Sequence, residues 1–255
     1  MIPTLKISPS ILGEFQSLIN GDYELWSKTQ EDFIRGLSEG FQESSATSRG
    51  HAVHRILEGE DGKTATGTRV VRVQDGGAGE SHEMWYDEYD QEIEIKVYEM
   101  EEPNFGVTWQ FSEQAYNEII KHRLEGDIAY ETWGRWEHEV NGVNVLMNMR
   151  HDALEPCILH DFKTTGKPKK YRDYLDSIQW RCYLMTMPEV NEVNYHIFQL
   201  PHDNPNAVLS WVKYQKFTYI READNYQRVV NLLTELIAWA KDDARVFDAL
   251  KYIPK

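Results

Sequence analysis

The stretch Cys157–Leu184, CILHDFKTTGKPKKYRDYLDSIQWRCYL, decides the fold that the sequence predicts. It opens with an apolar run typical of a buried strand, and that strand ends on Asp161 and Lys163. A protein core rejects such charges unless they are paired or used for function. A short basic loop and a segment with helical patterning follow. We therefore expect a buried strand that leads through a loop into a helix, with its two charges placed at the strand end for a purpose.

The composition predicts a folded chain rather than a disordered one. With 255 residues and 41% hydrophobic content, the chain is long enough for one large domain or for a domain with an insertion. It contains no run of ~18 apolar residues, and its N-terminus, MIPTLKISPS, lacks the charged-then-apolar order of a signal peptide. These features predict a cytoplasmic protein with no membrane partner.

The charge balance restricts where a nucleic acid could bind. The chain has 42 acidic and 27 basic residues and a formal net charge of −15, which disfavours nonspecific wrapping of a polyanion. Much of the acidity lies between Glu80 and Glu102. By contrast, Lys163–Arg172 holds five basic residues and no acid. Any nucleic-acid site is therefore expected to be local, and this basic segment is the candidate for it.

The two cysteines support neither a disulfide framework nor a metal cluster. Cys157 and Cys182 form no CxxC pair and stand in apolar surroundings. A zinc or iron–sulfur site needs more ligands at closer spacing. We expect two buried, reduced thiols.

The first half of the chain predicts helices followed by a strand-rich insertion. Ser8-Pro9-Ser10 is a typical helix start, the SSATS stretch at 44–48 is interpreted as a loop, and a helix that carries His54 is expected from Gly50. From about residue 60 to 110 the apolar period changes to two. TGTRVVRV and QEIEIKVYEM are predicted strands joined by the loop QDGGAG.

The second half predicts the central sheet. Asn141-Gly142 suits a tight hairpin turn between WEHEV and VNVLMNM. CILHDFK is a third strand, Asp173–Met187 is predicted as one helix, EVNYHIFQL and VLSWVKYQKFTY are further strands, and a long amphipathic helix closes the chain. The predicted fold class is α/β, with a mixed central β-sheet flanked by helices, in a single domain over 1–255 that carries the strand-rich insertion.

An acid-x-Lys triplet occurs three times, and its context distinguishes the copies. Asp61–Lys63 lies in a turn-like segment, and Glu94–Lys96 lies in a strand that alternates like a half-exposed hairpin. Only Asp161–Lys163 ends a strand of buried type and has a second acid, Asp152, in the preceding hairpin strand. The third triplet is therefore the candidate for chemistry.

Asp152 and Asp161 are predicted to meet at one end of the sheet. Side-chain direction repeats every two residues, so Asp161 and Lys163 share a face of their strand. Two close carboxylates repel each other unless a cation lies between them, and oxygen ligands suit Mg²⁺ or Mn²⁺. Lys163 beside the cation can orient water or neutralise charge on a phosphoryl oxygen. This is the chemistry of metal-assisted phosphodiester hydrolysis.

Four motifs in this order resemble the PD-(D/E)XK nuclease superfamily, and within it the RecB/RecE-like exonucleases. They are the helix segment Gly50–His54, then Arg150–Asp152, then Asp161–Thr165, then Gln179-x-x-x-Tyr183. The resemblance covers about residues 50–184 and implies a restriction-endonuclease-like core. It implies that His54, Asp152, Asp161 and the backbone carbonyl of Phe162 are metal ligands, that Lys163 is the catalytic lysine, and that Gln179 and Tyr183 act beside them.

The departures from the family pattern indicate which branch of the superfamily the chain resembles most. The iron–sulfur cysteines of the helicase-nuclease and CRISPR branches are missing, so no iron–sulfur cluster is expected and the RecE-like branch fits best. His151 stands where a proline or another residue usually precedes the first acid, and the strand-rich block has no counterpart. His51, His138, His151 and His160 show no ligand spacing and are interpreted as ordinary polar residues.

The resemblance implies a Mg²⁺-dependent deoxyribonuclease, an exonuclease of phage or mobile-element DNA recombination. Its partners would be DNA and a single-strand annealing or recombination protein, and assembly into a homo-oligomer is left open. The location would be the host cytoplasm if the chain is phage-encoded. The basic loop would meet phosphates through Lys167, Lys169, Lys170 and Arg172. The alternative from another class is a catalytically silent nuclease-fold protein that binds DNA or a partner protein.

Overall fold

The structure, a computed structural model, describes residues 3–21, 29–40, 44–78 and 84–251. The helices in these ranges are α1 (Pro9–Asn20), α2 (Gln30–Glu39), α3 (Ser45–Leu57), α4 (Glu113–Ile120), α5 (Tyr171–Leu175), α6 (Gln179–Thr186), α7 (Asn225–Asp242) and α8 (Ala244–Leu250). The strands are β1 (Thr4–Lys6), β2 (Lys63–Ala78), β3 (Met84–Glu102), β4 (Val107–Ser112), β5 (Ala129–Val140), β6 (Val143–Glu155), β7 (Ile158–Thr165), β8 (Glu192–Gln199) and β9 (Lys213–Ile220).

The central sheet has six strands and is mixed, which confirms the predicted fold class. β5 lies antiparallel along one edge of β6, and the other edge of β6 pairs with β1 near its start and with β7 near its end. β7 then pairs in parallel with β8, and β9 closes the far side in antiparallel pairing. The turn between β5 and β6 is the predicted one, because Asn141 and Gly142 both have positive φ, at 48° and 69°.

Two apolar cores lie on opposite faces of this sheet. One contains residues of α1, α2, α6, α7 and α8. The other contains residues of α3, α4 and the strands β3 and β4. The end of β7 is therefore covered by α6 on one face and by α3 on the other. This arrangement lets two helices that are distant in sequence reach the same strand end.

The predicted insertion forms a separate antiparallel sheet with the order β2-β3-β4. It spans Lys63–Ser112, close to the predicted range, but the segment interpreted as the loop QDGGAG mostly continues β2, which pairs with β3 as far as Ala78 and Met84. Those residues were expected to break the strand, and a long two-stranded ribbon forms instead. The buried Trp109 ring on β4 donates a hydrogen bond to Ser48 Oγ at 2.9 Å, which fixes this sheet to α3.

The sequence predicts a loop for the SSATS segment, but this segment forms the N-cap and the first turn of α3. Ser44 is the N-cap; its side chain accepts from the Thr47 N–H, and the Thr47 hydroxyl accepts from the Ser44 N–H. Serine and threonine disfavour helix interiors but stabilise helix starts. α3 thus begins one turn before the predicted start at Gly50.

The single helix predicted over Asp173–Met187 is two helices, α5 and α6. Gln16 of α1 holds the break between them: its amide nitrogen donates to the Asp176 carbonyl at 2.9 Å, and its amide oxygen accepts from the Ile178 N–H at 3.0 Å. A side chain on another helix thereby satisfies backbone groups that a continuous helix would pair internally.

Two smaller predictions were also wrong. Cys157 is exposed rather than buried, because it occupies the β6–β7 turn with φ 130°, whereas Cys182 is buried as predicted. The strand predicted from Val208 begins only at Lys213; before it, Leu209 makes an isolated bridge to Phe111 of the second sheet. Within the described ranges, no helix has both the length and the apolar character needed to cross a membrane.

β5 approaches α6 closely at Gly134, and this contact can be tested. A Cβ added there would lie 2.6 Å from Thr186 Oγ1 and 2.7 Å from His151 Cε1. Gly134→Ala is expected to lower the free energy of unfolding by about 1–3 kcal/mol, because overpacking forces neighbouring atoms apart. Urea unfolding followed by circular dichroism measures this change.

Gly13→Ala is the matched control. Gly13 is a helical residue of α1, and a Cβ there has no neighbouring atom within 4 Å. Its stability should be equal to the wild type or higher by up to about 1 kcal/mol, since alanine favours the helix. If Gly134→Ala unfolds at the wild-type urea concentration, the packing described at this strand is wrong.

Candidate active site

The β6–β7 hairpin brings Asp152 and Asp161 to the same sheet end, as predicted. Ala153 pairs with His160 in this ladder, so Asp152 and Asp161 occupy the next opposed positions. Asp152 Oδ2 accepts a hydrogen bond from the Phe162 N–H at 2.7 Å. The first acid is thereby fixed against the backbone of the strand that carries the second.

Asp161 and Lys163 form an ion pair on one face of β7. Lys163 Nζ lies 2.8 Å from Asp161 Oδ2; the Asp161 residue is only 2% exposed, whereas the Lys163 side chain is 29% exposed. Burial raises the pKa of Asp161, and the positive charge of Lys163 opposes that rise. For Lys163, burial acts to lower the pKa, but attraction to Asp161 and Asp152, together with the hydrogen bond to Asp161, outweighs it and the net pKa is raised. The lysine is therefore a cation at neutral pH.

α6 supplies the residues of the Gln-x-x-x-Tyr motif from the face on which Asp161 lies. The Tyr183 hydroxyl donates to Asp161 Oδ1 at 2.7 Å, and Gln179 Nε2 donates to the Tyr183 hydroxyl at 2.6 Å. The spacing of four positions places both side chains on one side of the helix. Burial raises the pKa of Tyr183 well above its usual value, so its hydroxyl stays protonated and donates.

α3 supplies His54 from the opposite face. His54 Nε2 lies 2.8 Å from the Phe162 carbonyl oxygen, and His54 Nδ1 lies 3.8 Å from Asp152 Oδ1. The buried neighbours Val53 and Ile56 anchor this helix against the sheet, which leaves the histidine directed at the strand end. All the residues that the resemblance implied as ligands thus converge here.

The chemistry of these donors fits Mg²⁺ or Mn²⁺. Two carboxylates, one imidazole and one backbone carbonyl form the oxygen-rich set that these ions prefer. Within the described part of the chain, no three His, Cys, Asp or Glu side chains already surround one point as ligands. The Phe162 carbonyl and His54 satisfy each other, and Asp161 is paired with Lys163. Binding of an ion would replace these contacts.

Further negative charge borders His54 and Asp152. Burial, followed by repulsion from Glu131, raises the pKa of Glu58 at the end of α3, and Asp152 adds to the rise. Glu131 lies in β5 with φ 54°, at a position that is skipped in the pairing with β6. Its carboxylate forms an ion pair with Arg150 at 2.6 Å. A cation at this corner would relieve the repulsion among the carboxylates.

Two histidines interpreted as ordinary polar residues are in fact buried. The His151 ring is fully buried and lies edge-on to the Tyr183 ring, with centroids 5.1 Å apart. Burial lowers its pKa to about 4, so it is neutral at pH 7. His160 Nδ1 lies 2.8 Å from His196 Nε2 inside the sheet. Their one sequence signal is position, since each precedes a site aspartate; only the tertiary structure shows their burial.

The predicted phosphate-binding residues lie on the loop after β7 and on the first turn of α5. Lys167, Lys170 and Arg172 are exposed, whereas Lys169 is half-buried and lines a cavity whose other wall is α1. The Thr165 hydroxyl donates to the Lys167 carbonyl at 3.0 Å and accepts from the Lys167 N–H at 3.2 Å, which fixes the start of the loop. The loop therefore leaves the sheet two residues after Lys163.

The donor set predicts a measurable response to metal. Mn²⁺ should raise the melting temperature of the wild type, because a ligand that binds only the folded state stabilises it. Asp152→Asn and Asp161→Asn should lose most of that rise and at least about tenfold in Mn²⁺ affinity. Asparagine can still accept from the Phe162 N–H or the Tyr183 hydroxyl, so both variants should fold.

Differential scanning fluorimetry and isothermal titration calorimetry measure these effects. Asp248→Asn, which removes an exposed acid from α8, is the matched control and should respond like the wild type. An equal Mn²⁺ response in all three variants would show that the ion binds elsewhere.

Comparisons with known proteins do not assign this site. No protein-family model matches the chain, and no curated protein matches it. Among solved structures, one titled "Crystal structure of SSO0001" is 14% identical over 46% of this chain and 52% of that chain, with a TM-score of 0.34. The chain thus spans about half of that structure's length, and so low a TM-score supports no conclusion about fold or function.

Proposed function

We propose that this chain is a Mg²⁺-dependent deoxyribonuclease of the PD-(D/E)XK superfamily, most similar to its RecE-like exonucleases. The observation that supports this is the convergence of Asp152, Asp161 and Lys163 with His54 from one helix and Tyr183 from another. These residues come from the β6–β7 hairpin and from two helices, α3 and α6, and each contacts another member of the set. This convergence supports the roles that the motif order implied.

The cation would be held by Asp152, Asp161, His54 and the Phe162 carbonyl. When bound, it would act as a Lewis acid on the phosphodiester. Lys163 keeps its charge and extends from the buried strand towards solvent, where it can hold water for in-line attack or stabilise negative charge on the phosphoryl oxygens. Tyr183 and Gln179 orient Asp161 through two short hydrogen bonds.

The basic loop would deliver DNA to this site. Its cationic side chains stand just beyond Lys163 in a chain of net charge −15, so attraction for phosphate is concentrated beside the site. The biological role that we propose is that of a DNA exonuclease of phage or mobile-element recombination. It would act in the cytoplasm, which is the host's if the chain is phage-encoded, with a single-strand annealing or recombination protein as a partner.

The first test is digestion of end-labelled linear and closed circular double-stranded DNA with Mg²⁺ or Mn²⁺. The wild type should degrade linear DNA alone. Lys163→Ala should lower the rate at least about 100-fold, because it removes the charge that stabilises the transition state. The variant should remain folded, since Tyr183 still binds Asp161.

Lys241→Ala is the control for that loss. Lys241 contacts the Asn141 carbonyl in the β5–β6 turn, roughly 30 Å along β6 from Asp152, so cutting should be unchanged. Cutting of circles by the wild type would make the protein an endonuclease. Absence of metal-dependent cutting would favour the second candidate, a silent nuclease-fold protein that binds DNA or a partner protein.

The basic loop has its own test in the salt dependence of DNA binding. Alanine at Lys167, Lys170 or Arg172 should weaken binding uniformly across sequences, and should reduce the slope of log affinity against log salt by about one per residue. Fluorescence anisotropy between 50 and 200 mM salt, about the range in which such contacts weaken most, measures the slope. Lys251→Ala, an exposed lysine after α8, should keep the wild-type slope; unchanged slopes in the loop variants would exclude phosphate contacts there.

A further inference from the structure

A cavity of about 470 Å³ lies between α1 and the connection from the basic loop to α6. The residues of α1 that line it, Gly13, Gln16, Ser17 and Asn20, share one helix face. Across from them are Lys169, Asp173, Tyr174, Asp176, Ser177 and Gln179. The volume falls in the range of about 300–1,000 Å³ typical of small-ligand sites.

This cavity is adjacent to the candidate active site. Gln179 is part of its wall and donates to Tyr183, whose hydroxyl donates to Asp161. Tyr174, also in the wall, packs on Tyr195 with ring centroids 5.0 Å apart, and Lys163 Nζ lies 5.8 Å from the centre of the Tyr195 ring. Two side chains therefore separate a bound group from Asp161, and two separate it from Lys163.

The walls are fixed before any ligand arrives. The two hydrogen bonds of Gln16 join α1 to the α5–α6 break. Asp173 accepts from the Lys170 N–H at 2.8 Å and thereby caps α5. A preformed cavity loses less conformational entropy on binding than one that must be assembled.

The lining chemistry favours an uncharged, hydrogen-bonding ligand. Two acids, Asp173 and Asp176, outnumber the single cation Lys169, so a phosphate would meet net negative charge. The amide of Asn20 and the hydroxyl of Ser177 can meet donors and acceptors of either kind. A nucleobase has these properties, and its phosphate would stay outside with the basic loop.

We propose that the cavity binds the base of an unpaired nucleotide next to the phosphate that is cut. The inference rests on the proposed function, because it takes the substrate to be DNA. A base beside a buried catalytic corner must leave the stack of its strand, and proteins commonly compensate for that loss with a pocket and a ring contact. The cavity would thus set a requirement for single-stranded character at the cleaved position.

Gly13 gives direct access to the cavity for a test. A Cβ at Gly13 meets no atom within 4 Å, so Gly13→Leu can place a side chain into the space without displacing backbone. Gly13→Ala adds one methyl group and should have a smaller effect. Ser38→Leu adds the same side chain at an exposed position of α2 and is the matched control.

The experiment measures binding of a fluorescein-labelled single-stranded DNA 12-mer by anisotropy, with every variant in a Lys163→Ala background so that nothing is cut. Gly13→Leu should raise Kd about tenfold, Gly13→Ala should raise it less, and Ser38→Leu should leave it unchanged. A series of 12-mers with one abasic site moved along the strand identifies the bound base. At one position the abasic site should weaken binding by Gly13 protein, and Gly13→Leu should lose nothing further there.

The outcomes separate this inference from the proposed function. Gly13→Leu binding as tightly as the Gly13 protein, or abasic sites that weaken binding equally at every position, would overturn the base pocket even if the wild type cuts DNA. An abasic effect confined to one position and absent in Gly13→Leu would support the pocket even if the wild type cuts nothing. If Gly13→Leu melts below Gly13→Ala, Asn20→Phe fills the same cavity from its edge and replaces it.

Discussion

The buried carboxylate of Asp161 is the constraint on which the rest of the site depends. At 2% exposure it cannot rely on water, so the surrounding residues must provide its partners. Lys163 does so from the same strand and Tyr183 from α6. α6 packs on the sheet through buried apolar residues such as Trp180 and Leu184, and this packing places Tyr183, with Gln179 one turn before it, beside Asp161. Such an arrangement contributes little stability for its cost, which is typical of residues retained for chemistry.

The sequence predicts those parts of the site that local rules determine. Period-two alternation places Asp161 and Lys163 on one face, and Asn141-Gly142 specifies its turn, because both depend only on near neighbours. The convergence of His54 with Asp152 followed from motif order rather than from local physics. The fold class could be predicted from local patterns, since the periods of strands and helices are visible along the chain.

Other features depend on residues far away in the sequence. The break between α5 and α6 exists because Gln16, about 160 positions earlier, supplies its hydrogen bonds. The burial of His151 depends on the missing side chain of Gly134 on the neighbouring strand. Two segments predicted as loops belong to regular elements instead. Serine and threonine before Gly50 cap and begin α3, and the glycine-rich segment around residue 75 continues β2.

The ladder between β6 and β7 has only three paired positions, Ala153 to Glu155 with Ile158 to His160, closed by a turn in which Cys157 adopts φ 130°. A one-residue shift would turn Asp161 towards α3 and Phe162 towards α6. The site geometry therefore requires a turn of this length. A residue added to or removed from the β6–β7 turn would therefore separate Asp161 from the Tyr183 hydroxyl and take Lys163 with it to the other face of the sheet.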